Sequence, residues 1–173
     1  MQVLQICAAL LSFISLLLHL ISLGSNNWLE DKNSYSGLWY GCSPPVCFRI
    51  ISGSSKFSPS FGTGGVVVFV GSFEATRAFM LLGMIAGAVS FFGLCFTFYK
   101  SRLGSVSLAM VSAYASIAAG ICAMIAMSVF TAGTAVDGTV VWYGWSFGLG
   151  WASFPFFLIT GGLAFAFQSM TTE

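Results

Sequence analysis

Four stretches of this sequence, residues 3–23, 75–98, 104–130 and 145–167, are each long and apolar enough to cross a bilayer, and none carries Asp, Glu, Lys or Arg in its interior. A hydrocarbon core takes about 20 mostly apolar residues per helix. The pattern therefore predicts an all-α four-helix transmembrane bundle. Only 6% of the 173 residues are charged and 57% are hydrophobic. A soluble domain carries about 25% charged residues, so this chain lacks the means to cover a solvated surface. One membrane domain over residues 1–173 is the expectation, with lipid as its surroundings. A net charge of +1 with no basic tract argues against nucleic acid as a partner.

The polar connections are residues 24–74, 99–103 and 131–144. The shortest carries Lys100 and Arg102, and short basic loops stay on the cytoplasmic side. Both termini are then cytoplasmic, the other two loops extracellular, and the plasma membrane the expected location. Lys32, Arg49 and Lys56 in the long loop dilute that signal. The loop's two cysteines decide it, because a bridge between them needs an oxidising compartment. The first apolar run exceeds the 7–15 residues of a signal-peptide core and nothing basic precedes it, so it is read as a span.

Charge-free span interiors argue against a pump, a coupled transporter or an intramembrane hydrolase. His19, the single imidazole, reads as a neutral side chain hydrogen-bonded near the interface. No nucleophile–base pair, metal cluster or phosphate loop is visible, and the glycine-rich run at 62–65 precedes a strand-like run, not a helix. Neither enzymatic activity, a metal nor a cofactor is expected. Small residues line up within the spans: Gly83 with Gly87 and Gly93, and Ser112 with Ser116 and Gly120. Such rows let helix backbones approach, either within the bundle or between copies in an oligomer. Pro155 is expected to bend the fourth span. Cys7, Cys95 and Cys122 read as small apolar side chains.

The long loop holds strand-like runs at 27–32, 36–42, 46–51 and 66–70, rich in aromatic and β-branched residues between Gly, Pro and Ser clusters. Ser43-Pro44-Pro45 supplies a turn between the second and third runs. Cys42 and Cys47 flank it and read as a stapled hairpin, two free thiols being the alternative. So small a ring limits the unfolded chain by about 2 kcal/mol. Trp28, Leu38 and Trp39 fall where loop meets membrane, a position that suits an apolar ring with a polar N–H. Residues 52–65 read as a mobile tip. Arg77 shares a helix face with Glu74 and is placed to donate to backbone carbonyls of a sheet above it.

Trp28, then Gly37-Leu38-Trp39, then Cys42 and Cys47, between spans one and two of a four-span chain, resemble the signature of the claudin superfamily, which includes peripheral myelin and epithelial membrane proteins. The four-residue cysteine gap, Ala75-Thr76-Arg77-Ala78-Phe79-Met80 and Trp145-Ser146-Phe147 look most like its lens fibre membrane intrinsic protein branch. The resemblance implies a left-handed bundle capped by a small extracellular antiparallel β-sheet with a Cys42–Cys47 disulfide. It implies that Trp28, Gly37, Leu38 and Trp39 seat the sheet and that Arg77 supports the seat. It also implies roles in cell–cell contact, cell junctions or membrane organisation, with homo-oligomers or other membrane proteins as partners in cis or trans. An accessory subunit of a channel or receptor, or a paracellular barrier or pore, is the alternative. The chain ends Met170-Thr171-Thr172-Glu173 where many claudins carry a Tyr-Val tail, which weighs against scaffold-linked strands.

Overall fold

In the computed structural model, which describes residues 2–31, 34–50, 70–100, 102–103, 106–134 and 142–172, each apolar run folds as one helix. They are α1 (Gln2–Gly24), α2 (Val70–Phe96), α3 (Leu108–Thr134) and α4 (Trp145–Thr172). All four are long and apolar enough to span a membrane. Each helix packs on two neighbours, closing a ring in the order α1, α2, α3, α4. The helix α1 ends at Gly24, where the Ser25 N–H closes a last turn on Ile21 O at 3.0 Å. Glycine suits that end because it meets no side-chain penalty in the turn that follows. The helix α4 continues through Pro155.

Three departures from the sequence pattern have local causes. The third helix starts at Leu108, not at 104, because Arg102–Leu103 (β5) and Val106–Ser107 (β6) pair antiparallel. Gly104-Ser105 between them has the composition of a two-residue hairpin connection. The run at 36–42 is not one strand. Ser34–Ser36 (β2) ends before Gly37, and Tyr40–Ser43 (β3) begins after Trp39. The three residues between dip toward the bundle to bury Leu38, so tertiary packing overrides β-propensity. The 46–51 run becomes Val46–Arg49 (β4), and Val70 already belongs to α2. The expectations for the tip at 52–65 and the strand at 66–69 lie outside the described residues.

The sheet has five strands in the order β4-β3-β2-β1-β7, every neighbour antiparallel. Here β1 is Leu29–Asp31 and β7 is Trp142–Tyr143. The second loop thus donates an edge strand to a sheet otherwise built by the first. Beneath the sheet lies the main apolar cluster, with Trp28, Leu38, Met80, Met127 and Phe130 at its centre. At the opposite end Ala8, Leu94, Ala113 and Ala164 form a smaller one. Between them the bundle interior is small and polar: Ser12, Ser15, His19, Ser90, Ser116 and Thr160 are fully buried. Phe92, Phe96 and Ile85 face outward.

Candidate functional site

The site of interest is the sheet and the seat that holds it on the helices. Trp28 is the centre of that seat and is completely buried. Its Nε1–H donates to Ser22 O at 2.7 Å. Its ring meets Phe130 edge-on, centroids 4.8 Å apart, and Phe147 at 6.0 Å. Its backbone N–H donates to Ser36 O at 2.9 Å, and its carbonyl accepts from Gly144 N–H at 3.0 Å. One residue therefore ties α1, β2, α3, α4 and the approach to β7 together. A buried Trp needs a partner for its N–H, and the carbonyl one turn before the end of α1 supplies it.

Gly37 is required by a close approach. A Cβ there would lie 2.5 Å from both Asn26 Cα and Ser25 O, backbone atoms with no freedom to yield. Leu38 fills the apolar cluster and Trp39 donates its Nε1–H to Leu23 O at 3.0 Å. The guanidinium of Arg77 closes the seat from α2. Its Nε donates to Leu38 O at 2.8 Å, and its Nη2 donates to Leu38 O and, at 3.0 Å, to Ile50 O. The same group lies 4.9 Å from the Trp39 ring centroid. The carbonyls on either flank of the β3–β4 hairpin are thus held by one fork, which a planar group with several fixed N–H vectors does and a point charge does not.

Cys42 and Cys47 are register partners on β3 and β4 and are joined by a disulfide. The bridge closes the hairpin whose turn carries Pro44 and Pro45, linked by a cis peptide bond. Beyond the seat, the sheet displays Tyr35, Tyr40, Val46 and Trp142, the last 69% exposed on an edge strand. Arg49 reaches over the Tyr40 ring at 5.9 Å. Among the described residues no group of three His, Cys, Asp or Glu side chains is placed to hold a metal.

The small-residue rows are not part of this surface. A Cβ on Gly83 would meet the His19 ring at 3.2 Å, one on Gly87 the Phe157 ring at 2.9 Å, and one on Gly120 Leu158 at 3.2 Å. Ser116 Oγ donates to Phe157 O at 2.8 Å, and Ser112 Oγ to Leu108 O at 2.9 Å. These rows face other helices of the same bundle. His19 is buried within the bundle about one turn before the end of α1, with Nε2 donating to Met80 O at 2.9 Å and Nδ1 3.2 Å from Ser153 Oγ. Met80 O only accepts, so Nε2 carries the proton.

Sequence reasoning missed the partners that complete the seat: Ser22 O, Phe130, Phe147 and Tyr143. Tyr143 stacks on Phe147 at 4.1 Å and its hydroxyl is 2.9 Å from Thr134 Oγ1, which fixes β7. The aromatic residues Tyr143, Phe147 and Trp151 recur at four-residue intervals, the available signal, although only Phe147 and Trp151 lie on α4 and share a helix face there.

Residues 1–164 match the model of the PMP-22/EMP/MP20/Claudin family. The chain is 28% identical to human claudin-18 over 141 residues, 73% of this chain but only about half (51%) of that protein. It is 25% identical to zebrafish (Danio rerio) epithelial membrane protein 2 over 161 residues, covering 91% of this chain and 87% of the relative. Mouse (Mus musculus) claudin domain-containing protein 2 is 26% identical over 158 residues, with 91% and 83% covered. With four spanning helices, a disulfide-closed antiparallel sheet on top and a family match over nearly its whole length, the chain belongs to the PMP-22/EMP/MP20/Claudin family of tetraspan membrane proteins.

Proposed function

We propose that this protein acts without catalysis, as a plasma-membrane tetraspan whose extracellular sheet makes cell–cell or junctional contacts or organises neighbouring membrane proteins. Both termini lie in the cytoplasm. The observation that carries this reading is the division of labour in the sheet. One face is pinned to the helices by Trp28, Leu38, Trp39 and Arg77, while Tyr35, Tyr40, Val46 and Trp142 are left exposed on a disulfide-closed frame. Exposed aromatic side chains on a rigid support are the material of recognition surfaces. The Cys42–Cys47 bridge supports an oxidising, non-cytoplasmic location for that face.

Expression in non-adherent cells tests the adhesive part. Increased aggregation is the expected result, weakened by Trp142→Ala; no gain in contact at normal surface delivery overturns it. Labelling of Cys42 and Cys47 in intact cells before and after reduction tests the orientation, with reaction expected only after reduction. An accessory subunit would dock a larger partner on the small-residue rows of α2 and α3, where Gly83, Gly87 and Gly120 already pack against His19, Phe157 and Leu158.

A further inference from the structure

The register of the five-stranded sheet fixes which side chains share its outer face. Leu29 on β1 is buried in the cluster beneath the sheet, and its register partner Tyr143 on β7 stacks on Phe147 of α4. Successive residues of a strand point to opposite faces, and register partners on neighbouring strands point to the same one. Glu30 and its partners Trp142 and Tyr35 therefore stand on the face turned away from the helices. Tyr35 is in turn opposite Cys42 on β3. Tyr40, two residues before Cys42, shares that face and lies opposite Arg49 on β4. Glu30, Tyr35, Tyr40, Arg49 and Trp142 are all exposed.

Across β1, β2, β3 and β4 in turn, the outer face thus presents Glu30, Tyr35, Tyr40 and Arg49: acid, ring, ring, base. The Arg49 guanidinium lies over the Tyr40 ring, 5.9 Å from its centroid. Glu30 and Arg49 are three strands apart. At about 4.8 Å per strand the two charges are separated by about 14 Å, too far to pair within one chain. The order acid, ring, ring, base is its own complement after a half-turn.

We propose that this face binds the same face of a second copy of the chain on the apposed membrane, with Glu30 of each copy paired to Arg49 of the other. The inference rests on the adhesive reading above and names its partner. A two-fold axis between the faces, crossing the sheet between β2 and β3, makes both ion pairs at once, as an isologous contact requires. The same rotation brings Tyr35 of one copy toward Tyr40 of the other. Trp142, on the far side of Glu30, then falls beside Arg49 of the second copy, where an aromatic ring favours a cation. The inner face of the sheet is pinned to the helices, so two copies that meet by their outer faces have their membranes on opposite sides. The contact is therefore between cells. Charge complementarity of this kind selects the partner and its register more than it adds affinity, and many copies acting together supply the strength.

Cell aggregation with charge-exchanged variants tests the pairing. Glu30→Arg leaves two cations on each face, and Arg49→Glu leaves two anions; both positions are exposed, and delivery to the surface is measured for each. Non-adherent cells bearing either variant alone are expected to aggregate no more than untransfected cells. A mixture of the two populations, labelled with different dyes, is expected to recover mixed aggregates near the parental level, because each contact again joins a carboxylate to a guanidinium. Either variant aggregating alone as the parent does, or a mixture that stays dispersed with both variants at the surface, overturns the pairing and leaves the adhesive reading standing on the parent's own aggregation. A parent that does not aggregate overturns the adhesive reading itself, and this inference with it.

Discussion

Replacing Arg77 by Lys keeps the charge and removes the fork, and so separates geometry from electrostatics at the seat. The guanidinium holds two carbonyls, Leu38 O through Nε and Nη2 and Ile50 O through Nη2. An ammonium at the same position reaches one of them. The other loses a charged donor, and a bond of that kind contributes about 1.5–3 kcal/mol net. Arg77 is half-buried, so water replaces part of what is lost and the lower end applies. The expected cost of Arg77→Lys is thus about 1.5 kcal/mol, near tenfold in the folding equilibrium. Arg77→Met loses both carbonyl bonds and the stacking on Trp39, which adds about 0.5–1 kcal/mol, for a total of about 3.5–4 kcal/mol. Equilibrium unfolding in mixed micelles, followed by tryptophan fluorescence, measures both. Limited proteolysis within residues 24–74 reports whether the sheet end loosens first. A Lys variant within about 0.5 kcal/mol of the parent, with unchanged proteolysis, would refute the fork and leave only a nearby positive charge.

Trp28→Phe keeps a ring against Phe130 and loses the bond to Ser22 O, for an expected cost of about 1–3 kcal/mol, whereas Trp28→Ala also empties the pocket and costs about 3–5 kcal/mol in all, both read by the same unfolding assay. Replacing Cys42 and Cys47 together by Ser frees a ring of a few residues and lowers stability by about 2 kcal/mol under oxidising conditions, with no difference from the parent once both are reduced. Gly87→Ala drives a Cβ to 2.9 Å from the Phe157 ring and costs about 1–3 kcal/mol. Gly162→Ala on α4 meets nothing within 4 Å and is neutral or stabilising by up to about 1 kcal/mol; thermal melting in detergent ranks the pair.

The helices were legible in the sequence because hydrocarbon leaves a chain few options, and an uninterrupted apolar run states its fold almost unaided. Sheet detail was less so. Residues 36–42 have strand-like composition throughout, yet Leu38 and Trp39 leave the ladder to reach the bundle, and only the three-dimensional position of Leu23 and Arg77 decides that. The strand β7 is two residues long, too short for any alternation to register, and it exists because Tyr143 is stacked on Phe147 and bonded to Thr134. Arg77 was readable as a donor to carbonyls above it. Which carbonyls it takes depends on the path of the hairpin, which local sequence does not encode.

The polar residues of the spans carry more positional information than the apolar ones. In water, apolar side chains mark the inner face of a helix. In lipid that drive is gone, since the surroundings are as apolar as leucine, and hydroxyls and amides are the groups that need company. On α1 the residues Gln5, Ser12, Ser15, His19 and Ser22 fall three, four or seven apart and all turn inward, while Leu10, Phe13, Ile14, Leu17 and Ile21 face lipid. The polar stripe thus identifies the packed face, and the large residues identify the surface. The same inversion bears on function. A bundle that turns its hydrogen-bonding groups inward offers its flanks little but hydrocarbon, which suits acyl chains and gives a protein partner few groups to read. Polar, shaped surface is then concentrated where the chain leaves the membrane, on the sheet, and recognition is best sought there, around Trp142, Tyr40 and the turn bearing Pro44 and Pro45.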